Sequence, residues 1–143
     1  MTDNVVAKVT GFDISDMLTD GVMESEGVWR SLGKDKSGQL REIKLARIGT
    51  DEYNSLLRKK QRANQALLEQ NDDEAFKIAE KINKEVLAYT VIKGLRVNGE
   101  EVNYTPAIGL SMLEQRDFHA KIQTLANQAD AYKLQEDEEI VKS

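Results

Sequence analysis

Residues 102–113, with the sequence VNYTPAIGLSML, decide how the second half of this chain folds. Thr105 offers a hydroxyl oxygen to the unpaired backbone N–H groups of a helix start, and Pro106 has a suitable φ for the first helical position. Asp117 can cap another helix shortly afterwards. We therefore predict two short helices that meet at an angle near residues 115–117.

The residues on either side of this stretch continue the pattern. Upstream, an Asn-Gly pair at 98–99 lies between short arms with apolar residues, which predicts a tight two-residue hairpin turn. Downstream, residues 117–134 carry apolar side chains at helical spacing and predict a final amphipathic helix. Its apolar stripe consists of Phe118, Ile122, Leu125, Ala126, Ala129 and Tyr132.

Two longer helices are predicted before the hairpin turn. The first begins at 49–52, where Thr50 can act as the N-cap ahead of two acidic residues. The second begins at 71–74, which resembles a capping box with Asn in place of Ser or Thr, and it is expected to reach Lys93 before Gly94 ends it. Because few residues separate the two helices, they should fold back as an antiparallel pair.

The N-terminal third has strand character. Residues 27–32 predict a strand and 39–48 a returning strand across a polar turn, so a β-hairpin is expected at about 27–48. The run 42–48 also fits a helix, since periodicity does not settle short mixed runs. Glycines interrupt residues 1–26, for which we predict an irregular arm.

Together these elements predict a mainly α fold, an antiparallel helical domain with a small N-terminal β-hairpin. The chain divides into the arm at 1–26, a single domain at 27–134 and an acidic C-terminal tail at 135–143. The tail has four consecutive acidic residues followed by Ile140 and Val141. It fits either a solvated chain end or a segment that docks on a partner.

The composition excludes several classes of site. The chain has 143 residues, no cysteine and one histidine, so it can form no disulfide and no thiolate metal site. Its formal net charge of −5 disfavours broad electrostatic capture of nucleic acid, which depends on clustered Lys and Arg. The sequence has no run of about 18 apolar residues and no N-terminal signal pattern, which leads us to expect a cytoplasmic protein.

No constellation of residues points to catalysis or to a cofactor. His119 could act as a phosphoacceptor, but no partner lies at a spacing that identifies a role, and a solvent-facing histidine is the ordinary explanation. The acidic runs at 72–74 and 136–139 lack the pattern of a calcium loop, and 33–38 has the wrong spacing for a phosphate-binding loop. The basic residues at 58–62 fit a solvated helix face better than a nucleic-acid site. We therefore predict no enzyme, no cofactor and no metal.

From Gly27 onward, the order of these features resembles the tail assembly chaperones of long-tailed bacteriophages. The resemblance covers about four-fifths of the chain. It rests on the order and spacing of short motifs, which run from Gly27-Val28-Trp29 through 43–49 and Tyr53 to Tyr104-Thr105-Pro106, Leu110, Leu113, Asp117, the last helix and the acidic end.

The resemblance implies a non-catalytic protein of virion morphogenesis. It would bind and solubilise the tape-measure protein, associate with itself along that protein, and give way as the major tail-tube protein polymerises. Such chaperones are commonly made in two lengths by programmed ribosomal frameshifting, and this chain would be the short, non-frameshifted form. It would act in the host cell cytoplasm and be absent from the mature virion. A virion structural subunit, such as a tail-completion or connector protein, is the alternative.

Amphipathic helices with more apolar surface than one small core can cover could bind a partner helix by groove packing. The predicted helices supply five candidate partner-binding residues, for which burial in the chain's own core is the alternative: Leu56, Leu67, Phe118, Ile122 and Leu125. The tail supplies three more candidates: Glu138, Glu139 and Ile140.

Overall fold

The computed structural model describes residues 8–9 and 11–134. Its strands are β1 (Lys8–Val9), β2 (Phe12–Asp13), β3 (Val28–Lys34), β4 (Leu40–Leu45), β5 (Ile92–Val97) and β6 (Glu100–Val102). Its α-helices are α1 (Gly21–Glu26), α2 (Asp51–Ala63), α3 (Gln65–Leu68), α4 (Asp73–Val86), α5 (Pro106–Leu113) and α6 (Arg116–Ala126). Two 3₁₀ turns cover Ser15–Met17 and Ala129–Tyr132, and a π-helical turn covers Leu87–Val91. None of the helices in these ranges combines the length and the apolar character needed to span a membrane.

The largest sheet has four antiparallel strands in the order β3-β4-β5-β6. The predicted hairpin at about 27–48 is confirmed, since β3 pairs with β4. The predicted Asn-Gly turn is also confirmed, because Asn98 and Gly99 have φ angles of 51° and 83° and join β5 to β6. These positive φ angles suit a tight hairpin turn and favour Asn and Gly at the two positions.

The prediction of a mainly α fold with only a small hairpin is wrong. The four-stranded sheet, with helices packed on it, makes this an α+β fold. The helix predicted to reach Lys93 is nearly that long, since α4 and the π-helical turn run without a break to Val91. The fold class differs because β5, which begins at Ile92, joins β4. β5 pairs with β4, which lies far earlier in the chain, and so distant a partner leaves no mark on local periodicity.

Gly94 is a strand residue rather than the helix stop that the sequence predicts. It pairs with Lys44 of β4, and Trp29 of β3 lies across it. A Cβ atom at this position would lie 3.3 Å from Cη2 of Trp29, which is tighter than ordinary van der Waals contact. The absence of a side chain at Gly94 therefore lets the indole ring lie close to the sheet.

The helix starts follow the sequence with two corrections. Thr50 and Thr105 are N-caps as predicted, and each hydroxyl accepts a hydrogen bond at 3.3 Å from the backbone N–H three residues later. The N-cap of α4 is Asp72 and not the preceding asparagine. The N-cap of α6 is Gln115, which makes no side-chain capping bond, so Asp117 lies inside the first turn instead of capping it.

α2 and α4 form the predicted antiparallel pair. Glu52, near the start of α2, forms an ion pair of 2.8 Å with Lys93, which follows α4. Lys60, near the end of α2, lies 3.4 Å from Glu85 of α4. The later residue of α2, Lys60, thus contacts the earlier of the two partners, Glu85. This order is what an antiparallel arrangement requires. α2 is also shorter than a single long helix, because the chain breaks at Asn64 before α3.

The last helix is shorter than predicted. α6 ends at Ala126, and the 3₁₀ turn that follows buries Tyr132 completely. The Tyr132 hydroxyl donates to the carbonyl of Leu45 at 3.0 Å and so attaches this turn to the sheet. Lys133 then pairs with Thr19, which brings the end of the described chain against its N-terminal segment.

The core lies between one face of the sheet and the helices. Its fully buried apolar side chains come from β4, the end of α4, the π-helical turn, α5 and α6. They are Ile43, Leu45, Val86, Leu87, Val91, Leu113, Ile122 and Ala126. Burial of these side chains removes the largest apolar area from water and supplies most of the driving force for folding.

Three interior tyrosines should make the fold sensitive to alkaline pH. Burial raises the pKa of Tyr53, Tyr104 and Tyr132 above the ordinary value of about 10. Above that pH the unfolded chain binds fewer protons than the folded chain, so the free energy of unfolding should fall as pH rises, by up to about 1.4 kcal/mol per pH unit for each tyrosine. Tyrosinate absorbance should therefore develop at higher pH in the folded protein than in urea. Coincident titration curves would contradict this expectation.

Candidate functional site

An apolar groove of about 530 Å³ opens at one end of the sheet, beside α5 and α6. We call this feature the groove. Its apolar lining comes from Leu32, Leu95, Val97, Val102, Met112 and Phe118. Its charged residues are Arg41, Glu42, Arg96, Asp117 and Lys121. The volume lies within the range typical of binding pockets.

The groove exists because the apolar face of the sheet extends further than the helices that cover it. Ile43, Leu95 and Val102 are cross-strand neighbours on β4, β5 and β6, and directly paired residues share a face. Ile43 is fully buried, Leu95 is half-buried, and Val102 on the edge strand is 44% exposed. Exposure thus increases toward β6, where the described helices leave the apolar row uncovered.

α6 forms the opposite side of the groove. Phe118 lies one turn before the fully buried Ile122, and its own side chain is only half-buried. Met112, from the end of α5, is half-buried as well. The helix therefore places buried residues under the centre of the sheet and leaves Phe118 at the open end, where it faces the groove.

One pair of the groove's charges is neutralised within the chain. Arg96 donates to Glu42 through two hydrogen bonds of 2.7 and 3.1 Å, and its guanidinium stacks 4.2 Å from the ring centroid of Trp29. This hydrogen bonding lowers the pKa of Glu42, which therefore stays ionised at neutral pH. The bidentate geometry holds both side chains in place.

The other groove charges form no ion pair within the described residues. The Arg41 guanidinium donates to the carbonyl oxygens of Leu32 and Lys34 at 3.1 and 3.3 Å, so its positive charge faces no carboxylate. Lys121 is exposed and forms no ion pair with Asp117 one turn earlier. Among the described residues, these two cations therefore have no carboxylate partner.

The structure places the predicted partner-binding residues in different environments. Ile122 is fully buried, and Leu56 and Leu125 are half-buried against the core. Leu67 is 44% exposed on α3, outside the groove. Phe118 lines the groove. The three tail candidates, Glu138, Glu139 and Ile140, lie outside the described residues.

Several groove residues were not among the predicted site residues. Val97 and Val102 lie on either side of the Asn-Gly turn, and the turn brings them to the same end of the sheet. The predicted hairpin could have shown that these two residues lie close together. The contributions of Leu32 and Met112 depend on packing between β3 and α5 and have no such local signal.

The described residues contain no evident catalytic arrangement around the single histidine. Nε2 of His119 lies 2.7 Å from Oδ1 of Asn83 and 3.4 Å from Nε2 of Gln123. Burial, with a smaller effect from Lys84, lowers the pKa of His119. Amide partners can orient the imidazole, but they do not accept a proton as a carboxylate would. No cluster of three potential metal ligands occurs in the described part of the chain.

The chain matches a known protein family. Residues 48–143 match the family described as YdaY prophage protein. The matched region contains α2 through α6 and the groove residues from Leu95 to Lys121. No curated protein and no solved structure matches the chain.

Proposed function

This chain belongs to the YdaY prophage protein family, and from that premise we propose that it is a tail assembly chaperone. In this role it binds and solubilises the tape-measure protein and promotes assembly of the tail tube around it. The observation that carries the proposal is the groove, an open apolar surface on a small phage-related protein. The order of sequence motifs that resembles tail assembly chaperones supports the same role.

The groove suits a helical client on physical grounds. An amphipathic helix can place its apolar stripe in an apolar groove and leave its polar face in water. Each large apolar side chain that becomes fully buried contributes about 1.5–3 kcal/mol. The binding free energy from two or three such side chains would favour binding in the groove over self-association of the helical protein. The entropy lost when the complex becomes ordered offsets part of this free energy.

In the proposed role the protein acts inside the host cell during virion morphogenesis. It works in the host cell cytoplasm, associates with further copies of itself along the tape-measure protein, and is displaced by the major tail-tube protein. It is the short form of a pair produced by ribosomal frameshifting. It does not remain in the mature virion.

Co-expression tests the proposed function. The tape-measure protein of the same prophage is expressed alone, with this chain, or with an unrelated small acidic protein as control. We expect a several-fold increase in soluble tape-measure protein, together with co-purification, only when this chain is present. The proposal would be contradicted if this chain neither increased the amount of soluble tape-measure protein nor co-purified with it.

Mass spectrometry of purified phage particles separates the chaperone from a virion structural subunit. A chaperone should be missing from finished particles although it is abundant in infected cells. A stoichiometric amount of this chain in the particles would instead support a tail-completion or connector protein.

A further inference from the structure

The open end of the groove is better suited to a helix than to an added strand. β6 is the edge of the sheet, but it has only three residues, Glu100–Val102, and two of them are acidic. Short edge strands with charged side chains disfavour pairing with an external strand. The apolar side chains instead lie on the sheet face and on Phe118, where an inserted helix can contact both.

The charges of the groove indicate which helix it accepts. Arg41 and Lys121 have no carboxylate partner within the described residues, whereas Arg96 and Glu42 neutralise each other. Asp117 is the remaining acidic residue, and it lies in the first turn of α6, where the helix N-terminus favours negative charge. The charged residues that line the groove are thus three cations and two carboxylates, an excess of one positive charge on a chain with a net charge of −5.

We propose that the groove binds an amphipathic helix of the tape-measure protein whose apolar stripe is bordered by acidic side chains, and that Lys121 selects this acidic border. This inference rests on the proposed function and names the part of the client that the groove recognises. The apolar contacts provide the attraction, and the cations fix the orientation and favour acidic over basic borders.

Peptide binding with paired variants tests the inference. Overlapping 20-residue peptides that cover the tape-measure protein are assayed by fluorescence anisotropy, and the tightest-binding peptide should carry acidic residues beside its apolar stripe. Val102→Glu should weaken its binding about tenfold or more, because the substitution removes an apolar contact and adds a carboxylate. Val22→Glu is the matched control, since it makes the same substitution at a 61% exposed position of α1 outside the groove, and it should change binding less than about twofold.

Charge reversal tests the role of Lys121. Lys121→Glu should weaken binding about three- to tenfold at low salt, and the difference from wild type should shrink as salt is added. Lys59→Glu makes the same charge change at an exposed position of α2 outside the groove and should have little effect. Circular dichroism and thermal unfolding check that all four variants fold.

The outcomes distinguish this inference from the proposed function. Equal effects of Val102→Glu and Val22→Glu, equal effects of the two lysine variants, or tightest binding to peptides with basic borders would overturn the inference. So would a wild-type oligomer that Val102→Glu converts to a monomer, because a second copy would then occupy the groove. If wild type solubilises the full-length tape-measure protein under these outcomes, the chaperone role stands. If it neither solubilises that protein nor binds any peptide, both proposals fail.

Discussion

Gly109→Ala should destabilise the protein by about 2–4 kcal/mol, although alanine normally favours a helix by about 1 kcal/mol over glycine. Gly109 is buried in α5, and a Cβ atom there would overlap the Tyr104 hydroxyl and lie 3.2 Å from Cβ of Ala88. The Tyr104 hydroxyl donates to the carbonyl of Ala88 at 2.6 Å. The added methyl group therefore forces overpacking and breaks a hydrogen bond, and each effect costs about 1–3 kcal/mol.

Urea unfolding measures this effect against a matched glycine. Gly21→Ala, at the start of α1, adds a Cβ atom that meets no atom within 4 Å. It should be neutral or stabilise by up to about 1 kcal/mol. A loss at Gly109 no larger than the change at Gly21 would contradict the steric explanation.

A double-mutant cycle identifies the clash. Tyr104→Phe removes the hydroxyl oxygen, which is the atom nearest to the added methyl group. In that background Gly109→Ala should cost at least about 1 kcal/mol less than it does alone, since contacting residues are coupled. The same cost in both backgrounds would place the clash elsewhere.

Ile122→Ala should destabilise the protein by about 2–5 kcal/mol. The side chain is 0% exposed and belongs to the core between α6 and the sheet, so truncation removes buried methyl groups and leaves a cavity. This result would assign Ile122 to the core and not to a partner interface. Leu67→Ala, at a position that is 44% exposed, should cost less than about 1 kcal/mol.

The same urea unfolding experiment, combined with the co-expression assay, separates the two roles of Ile122. A variant that unfolds at the wild-type urea concentration but loses the tape-measure protein would place Ile122 at the interface. For a core residue we expect reduced stability but retained binding of the tape-measure protein. Binding is measured at low temperature, where most of the variant is still folded.

Local signals accounted for many of the individual elements. The hydroxyls of Thr50 and Thr105 start helices because they satisfy backbone donors only a few residues away. Asn98 and Gly99 form a hairpin turn because they tolerate positive φ. The β3-β4 hairpin is local too, since its strands are joined by a short turn.

Local sequence signals did not predict which distant segments pair with each other. The sequence predicts helix up to Lys93, but Ile92 and Lys93 already belong to β5, because β4 offers backbone partners to this strand. Tyr132 likewise fits a helical stripe, but it leaves the helix to reach the carbonyl of Leu45. In both cases a tertiary contact overrides a local preference.

The candidate site also combines features that local sequence predicted with features that depend on tertiary contacts. Sequence periodicity identified Phe118, Ile122 and Leu125 as one stripe, but it did not show that α6 covers the centre of the sheet and leaves Phe118 at the open end. By itself the sequence determined the caps at Thr50 and Thr105, the tight turns and the apolar faces, because each depends on neighbouring residues. Only the tertiary structure decided which apolar faces are buried and which form the groove, because burial depends on where separate elements meet.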